Sequence, residues 1–398
     1  LADRLAKPFL IGVLLAAAGA CAWWWGRDPG HALMVAVAVL VVTCPCALSL
    51  ATPAAMLAAA GALARGGVMV RKLQALEALA DVDTLVFDKT GTLTRDAMVV
   101  EAIDVREGVS PNEALAMAAA LARHSLHPVS RALVVAHANR ESVPPGSHSW
   151  VCDAVTEAPG RGLSGLAARG DDGYDARGAS LRLGSAVFCA VPAHHSSGLH
   201  SYLSDEQGWL ATFSLAEDLR PQAALAIASL AELGVTVHML SGDSVDSVAR
   251  VAALAGIAHT RGACTPDDKL SCVRALQAQG HRVAMVGDGL NDGPVLAGAN
   301  VSFAFGQAVP LAQAKADFVV LGEKLMSVVH TVKLAQRTLR IVRQNLWWAL
   351  VYNAACVPLA VIGLLPAWLA GLGMATSSLV VVLNALRLAR NLNAEKAI

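Results

Sequence analysis

The sequence predicts an α/β cytosolic domain on a parallel sheet, interrupted by an inserted α+β domain and flanked at both ends by α-helical transmembrane segments. Uncharged apolar runs gather at the two ends of the chain. Between them, short apolar strands end in Asp, Ser or Gly and alternate with helical stretches, the pattern of a parallel sheet. A Gly-, Ser- and His-rich stretch breaks that alternation. The 398 residues exceed one ordinary domain. With 55% hydrophobic and 16% charged residues and a mean hydropathy of +0.51, the chain is not disordered, and a purely soluble protein is disfavoured. Lys+Arg and Asp+Glu balance at 31 each, so no basic excess points to nucleic acid. Eight cysteines without dense spacing do not make a disulfide scaffold.

The end runs come first. Residues 9–25 carry no charge, Gly26-Arg27-Asp28-Pro29-Gly30 breaks the run, and residues 31–63 again carry none. Residues 346–365 and 367–386 form a second pair. Each is long enough to cross a hydrocarbon core, which takes about 20 helical residues. Trp23, Trp24, Trp25, Trp347, Trp348 and Trp368 sit near the run ends, the depth that aromatic rings favour. Arg4 and Lys7 precede the first span, and Arg65, Arg71 and Lys72 follow the second. Arg337, Arg340 and Arg343 precede the third, and Arg387, Arg390 and Lys396 follow the fourth. Arg27 is the only cation in either short hairpin loop. Cationic flanks stay cytoplasmic, so both termini and the middle segment are expected there.

In the middle, residues 84–87 form a strand ending at Asp88, and residues 235–240 one ending at Ser241-Gly242-Asp243. Residues 282–286 form a third, ending at Gly287-Asp288-Gly289. Residues 223–233 and 244–255 read as helices between them. Polar residues at the carboxyl ends of such strands line the usual ligand crevice. The expected division is a hairpin over 1–64, the sheet domain over 65–96 and 216–338, the insert over 97–215, and a second hairpin over 339–398. Cys152, Cys189, Cys264 and Cys272 lack paired spacing, and His194, His195 and His200 read as surface loop.

Asp88-Lys89-Thr90-Gly91-Thr92-Leu93-Thr94 carries the most chemistry. An Asp at a strand end can attack a phosphoryl group, and the Gly-containing turn lets backbone N–H groups approach phosphate oxygens. Ser241 adds a hydroxyl and Lys269 a cation. Asp288 and Asp292 offer carboxylates to Mg²⁺, a hard cation that prefers oxygen. Hydrolases on such a scaffold often place a second Asp two residues after the nucleophile. Here that position is Thr90, a poor proton shuttle, so a phosphoaspartate is expected to persist.

These segments resemble P-type ATPases. Asp88 to Thr94 is similar to their phosphorylation signature, Gly287-Asp288-Gly289-Leu290-Asn291-Asp292-Gly293-Pro294 to their Mg²⁺-site motif, and Asp218-Leu219-Arg220-Pro221 to the hinge rejoining the nucleotide domain. The resemblance implies a haloacid-dehalogenase-like phosphorylation domain with an inserted nucleotide-binding domain. It further implies catalytic roles for Asp88, Lys89, Thr90, Ser241, Gly242, Asp243 and Lys269, with Asp288, Asn291 and Asp292 at Mg²⁺.

Thr43-Cys44-Pro45-Cys46 lies inside the second apolar run. Pro45 removes a helical bond and kinks the helix. Freed carbonyls at bilayer depth are tolerated where they are buried in protein or line a cavity. Flanking thiols select copper(I) or zinc over magnesium or calcium. Tyr352-Asn353 and Met374-Ala375-Thr376-Ser377-Ser378 lie in the last two runs, and Met374 and Ser378 share one helical face. Together these resemble the copper(I) subgroup of the heavy-metal class. The resemblance implies Cu⁺ ligation by Cys44, Cys46, Tyr352, Asn353, Met374 and Ser378. Zinc pumps of the class usually carry a membrane Asp and Lys, which neither of these runs contains.

Ser125-Leu126-His127-Pro128 is similar to the class's Ser-Glu-His-Pro segment, and Gly160-Arg161-Gly162 to its Gly-x-Gly. His127, Gly160 and Gly162 are thus expected at ATP. Leu126 stands where the class has Glu, and Ser185 where it has Asn. Each lost hydrogen bond is worth about 0.5–1.5 kcal/mol, so weaker or less base-selective ATP binding is expected. The chain starts at Leu1 and shows neither the actuator's Thr-Gly-Glu nor a Gly-Met-x-Cys-x-x-Cys module. It therefore reads as part of a longer protein, with four of eight spans. The expected whole is a pump in a bacterial plasma membrane, its catalytic domains cytoplasmic. A cytosolic copper chaperone is an expected partner. A zinc or cadmium pump and a non-transporting phosphohydrolase or metal sensor are the alternatives.

Overall fold

The computed structural model describes residues 2–43, 46–140, 150–169, 178–192, 198–288, 292–305 and 316–390, with the side chains of 2–10, 46–48, 96 and 390 excepted. The chain divides into two compact units. One comprises Leu1–Phe87, Leu225–His238 and Pro266–Ile398, the other Asp88–Ala224 and Met239–Thr265.

In the first unit, α1 (Ala2–Trp25), α2 (Pro29–Val42) and α3 (Cys46–Arg65) lead into β1 (Val68–Val70) and α4 (Gln74–Ala80). Pro29 suits the first turn of α2, where its missing N–H is no loss. The Asp28 carboxylate caps that helix by accepting from the N–H groups of Gly30 at 2.9 Å and His31 at 3.2 Å. Within the run over 31–63, where a kink was expected at Pro45, α2 ends at Val42 and α3 begins at Cys46. The Thr43 hydroxyl turns back to donate to the Val39 carbonyl at 2.6 Å. Cys44 and Pro45 lie outside the described residues.

At the other end, α11 (Met326–Val361) is a single helix of 36 residues, followed by α12 (Ala367–Arg390). The expected third span, 346–365, is only the last part of α11. The helix starts earlier because its first turns bury Val328, Val329, Val332 and Ala335. It stops at Ile362, before Gly363 with φ +81°. By length and composition one described helix, Ala367–Ala389, suffices to cross a membrane, with a mean hydropathy of 1.8; Ile11–Trp25 and Pro29–Val42 are apolar but shorter. Small residues let these helices approach closely. Ala17 and Ala20 of α1, Val35, Ala38 and Val39 of α2, and Ala360 of α11 form one buried cluster. The Trp24 indole donates to the Val361 carbonyl at 3.1 Å.

The sheet of this unit runs β1-β13-β12-β11-β2-β9, where β2 is Thr84–Asp88, β9 Thr236–Leu240, β11 Val283–Gly287, β12 Val301–Phe305 and β13 Phe318–Val320. Strands β2, β11 and β12 are buried at every position, as expected of central parallel strands covered on both faces. Strand β11 pairs in parallel with β2, Val286 opposite Phe87, and with β12, Gly287 opposite Ala304. The edge strand β1 is antiparallel to β13. Helices α7 (Ala223–Glu232), α9 (Pro266–Ala278) and α10 (Gly293–Gly298) make the connections.

The second unit carries a six-stranded antiparallel sheet of order β3-β8-β7-β6-β5-β4. Its strands are β3 (Thr94–Val105), β4 (Trp150–Ala158), β5 (Gly162–Arg169), β6 (Ala179–Gly184), β7 (Leu199–Asp205) and β8 (Gly208–Leu219). Helix α5 (Pro111–Ala122) buries Leu115, Ala118 and Leu121 against Leu163, Leu181, Leu203 and Phe213, and α6 (Pro128–Arg140) adds Leu133. The insert is longer than 97–215, because β3 and β8 pair from Thr94↔Leu219 onward. His200 is not in a loop; it lies on β7, and its Nδ1 is 3.2 Å from the Ser214 hydroxyl on β8. His194 and His195 lie outside the described residues. The same unit holds α8 (Val245–Ala255), capped by Ser244, and β10 (His259–Arg261).

Candidate functional site

Asp88 ends β2 and is 6% exposed. The chain then turns through Lys89–Leu93, with Thr90 extended and Gly91 at φ +69°, a left-handed conformation that glycine adopts without strain. Arg220 holds this turn from the hinge segment. Its guanidinium donates to the Thr92 carbonyl through Nε and to the Gly91 carbonyl through Nη2, both at 2.8 Å. The Arg220 N–H donates to the Leu93 carbonyl at 2.9 Å.

Lys89 is 1% exposed and anchors the turn from within. Its Nζ pairs with Glu217 and with Asp243 Oδ2 at 2.6 Å, and lies 3.2 Å from the Ser247 hydroxyl. The Ser247 hydroxyl in turn donates to Glu217 at 3.0 Å. The Thr90 and Ser241 hydroxyls both donate to Asp243 Oδ2, at 3.1 and 3.2 Å. Gly242 separates Ser241 and Asp243 at the end of β9. Burial pushes the Asp243 carboxyl up, but the Lys89 hydrogen bond and charge, helped by both hydroxyls, outweigh it and hold its pKa below the ordinary value. The structure thus joins Lys89, Thr90, Ser241 and Asp243 in one network. Glu217 and Ser247 belong to it without having been foreseen; each lies over a hundred residues from Lys89, and no local pattern marks them. Thr92 Oγ1 and Glu217 Oε2 are buried without a hydrogen-bond partner.

In the first unit, Lys269 on α9 and Asp292 before α10 form a buried ion pair, Nζ to Oδ1 2.9 Å, with side chains 8% and 2% exposed. The lysine expected at the phosphoryl group and a carboxylate expected at Mg²⁺ are therefore bonded to each other. Asp288 follows β11 and is half-buried. Asn291 lies outside the described residues.

A cavity of about 240 Å³ opens between α6, β4, β5, β6 and β7. It brings together the expected His127, Gly160 and Gly162, and adds Ser125, Glu157 and Ser185. A side chain at residue 162 would collide with the Leu183 carbonyl and the Phe188 ring, so glycine is required where β5 starts beside the end of β6. Leu126 is 89% exposed and does not line the cavity.

Of the expected metal ligands, Cys44 lies outside the described residues and Cys46 opens α3 with its side chain undescribed. Tyr352 and Asn353 are half-buried on α11, Met374 and Ser378 half-buried on α12. The Tyr352 hydroxyl abuts Gly373, 2.7 Å from where a Cβ would stand, next to Met374. Ser377, not Ser378, is the buried serine, accepting from the Trp348 indole at 3.1 Å. Among the described residues no three His, Cys, Asp or Glu side chains cluster as a metal site.

A profile of haloacid dehalogenase-like hydrolases matches residues 82–300. The chain is 40% identical over 98% of its length to the nitrogen fixation protein FixI of Rhizobium leguminosarum bv. viciae, of which it covers 49%. It is 37% identical, again over 98%, to a copper-exporting P-type ATPase of Mycobacterium tuberculosis, of which it covers 50%. It thus spans about half the length of these relatives. Among solved structures, a zinc-transporting PIB-type ATPase in the E2.Pi state superposes with a TM-score of 0.82 at 29% identity, over 98% of this chain and 64% of that one. With the profile covering more than half of it, the chain belongs to the haloacid dehalogenase-like hydrolase family, and beyond that core its likeness, over nearly its whole length, is to P-type ATPases of the heavy-metal class.

Proposed function

We propose that this chain is the catalytic and metal-gating portion of an ATP-driven copper(I) exporter that works through an aspartyl phosphate on Asp88. One observation carries the reading. Asp88 sits at the carboxyl end of a central parallel strand, at the head of a turn fixed by Arg220 on its carbonyls and by the Lys89 network from below. Phosphoryl transfer asks for positioning and charge stabilisation more than for covalent help, and a clamped turn supplies positioning. The Asp88 carboxylate attacks the γ-phosphorus of ATP, the bond to the β–γ bridging oxygen breaks, and ADP leaves. Thr90, which donates to Asp243, offers no carboxylate to activate water, so the acyl phosphate persists. Lys89 is a positioning residue, since its ammonium is committed to Glu217 and Asp243.

Lys269 and Asp288 serve the same reaction in this reading. Its support is that β11 runs parallel to β2, so the segments at 88 and 288 leave neighbouring strands in the same direction. The donor set fits Mg²⁺, which takes one or two carboxylates with phosphate oxygens. Asp288 would hold the ion, while Asp292 is neutralised by Lys269. Bound there, Mg²⁺ would offset the charge of the phosphate oxygens.

Copper(I) is the favoured cargo. Cys44, Cys46 and Met374 are soft donors, the last two apolar runs hold neither Asp nor Lys, and relatives at 37% identity are named copper exporters. Zinc is the second reading, favoured by the zinc-transporting structural neighbour. Expected partners are the bilayer and a cytosolic copper donor, with the catalytic part on the cytoplasmic side of a bacterial plasma membrane. The test is phosphorylation from γ-labelled ATP with copper(I), zinc or neither. Acid-stable, hydroxylamine-sensitive label is expected with copper(I) and none after Asp88→Asn. Label retained in that variant, or equal label with zinc, would refute the nucleophile or the cargo respectively.

A further inference from the structure

We propose that Glu157 reads the 6-amino group of a purine and gives this chain its preference for adenine nucleotides. The inference rests on the nucleotide reading of the β4–β5–β6 cavity and deepens it.

Leu126 removes a carboxylate from the Ser-x-His-Pro segment, yet it points out of the cavity, 89% exposed. A carboxylate reaches the cavity from another element. Glu157, next to last in β4, lines it. Its Oε1 accepts from the Ser125 hydroxyl at 3.0 Å, and that hydroxyl accepts from the His127 N–H at 3.2 Å. A serine hydroxyl has a single proton to give, and Ser125 gives it to Glu157. The carboxylate is thereby tied to the residues beside the His127 imidazole. Gly160, Gly162 and Gly184 also line the cavity, together with Arg161, Leu163 and Leu183. At about 240 Å³ the cavity is smaller than the ~300–1,000 Å³ that encloses a drug-sized ligand. It fits a base, with the triphosphate outside.

A hydroxyl or an imidazole can give or take a hydrogen bond, so Ser185, His127 and His200 suit several bases, while Ser125 has given its proton to Glu157 and the Arg161 guanidinium only donates. An ionised carboxylate only accepts. Adenine presents an amino group at position 6 and donates to it. Hypoxanthine and guanine present a carbonyl there, oxygen against oxygen. Of the lining groups with a fixed role, Glu157 is the one that accepts, so it is the group that favours a 6-amino base, and the altered Leu126 leaves base selectivity in place.

ATP and ITP differ at that edge of the base, so equilibrium binding of both to the detergent-solubilised chain tests the inference without any substitution. ATP is expected to bind about tenfold tighter or more, the worth of one hydrogen bond to a charged group. Equal affinities would overturn the inference. Glu157→Gln, whose amide offers N–H as readily as oxygen, is expected to cut the preference to under about threefold. A preference kept in full would reassign selectivity elsewhere. Binding of neither nucleotide by the unsubstituted chain would sink the nucleotide reading of the cavity itself, and the inference with it.

Discussion

Two buried lysines, Lys89 and Lys269, sit in the two units of this chain and are held in opposite ways. Lys89 has two carboxylates and a hydroxyl around its ammonium, and both acids keep contact with water, with side chains of Glu217 31% and Asp243 46% exposed. Lys269 has the Asp292 carboxylate at 2.9 Å, and both members are sealed, 8% and 2% exposed. A charge shared among several hydrated partners is fixed in place yet tolerant of losing one. A charge in a dry pair has little water at hand to replace a partner that is removed. The comparison separates a lysine held among hydrated acids in the turn after Asp88 from one held in a dry pair.

The sharpest break comes from the dry pair. Asp292→Ala takes a buried carboxylate from the Lys269 ammonium, and breaking a buried pair from one side costs about 3–5 kcal/mol. The variant is expected to unfold at a clearly lower temperature, read by tryptophan fluorescence of the solubilised chain. Lys269→Met with Asp292→Leu, which removes both charges, is expected to recover most of that loss. A single variant as stable as the parent would show that water already reaches the pair.

Lys89→Met is expected to cost less, about 1–3 kcal/mol, because water can rehydrate the carboxylates it leaves behind. Its effect on labelling at Asp88 is expected to exceed its effect on stability, since the turn loses its anchor. Equal destabilisation in Lys89→Met and Asp292→Ala would erase the distinction between the two lysines.

The contrast was half visible in the sequence. A charged residue closing an apolar run marks a strand end, so Asp88, Asp243 and Asp288 could be placed at sites from composition alone. Their partners could not. Glu217 lies 128 residues from Lys89 and Ser247 lies 158 away, contacts made by topology rather than spacing. Lys269 and Asp292 were seen separately, and only the packing of α9 and α10 turns them into a pair. Helix ends were misread for a related reason. Arg337, Arg340 and Arg343 read as a boundary before a span, yet the same helix carries them straight through, since a charge on an exposed face does not interrupt backbone hydrogen bonding. Glu157 escaped because its role depends on which strand faces the Ser125 loop.

The smallest effect concerns Asp243 and pH. Burial alone would raise its carboxyl, but the bond and charge of Lys89, then Thr90 and Ser241, hold it below its ordinary value. A carboxyl lowered on folding adds stability that is complete above the unfolded pKa, near 4, and drains away as pH falls through the folded value. With Asp243 nearly half exposed, water screens the pair, and its worth is about that of an exposed ion pair, roughly 0.2–1 kcal/mol. The parent is therefore expected to lose this increment below about pH 4. Asp243→Asn, which keeps the shape and an acceptor for Thr90 and Ser241, lacks the increment at every pH. The two unfolding curves should lie apart at pH 7 and converge as pH drops. Asp83 and Asp205 are lowered as well, but both chains carry them, so they cancel in the difference. Curves that stay parallel down to pH 3 would mean that Asp243 adds no charge-dependent support and that Lys89 draws it from Glu217.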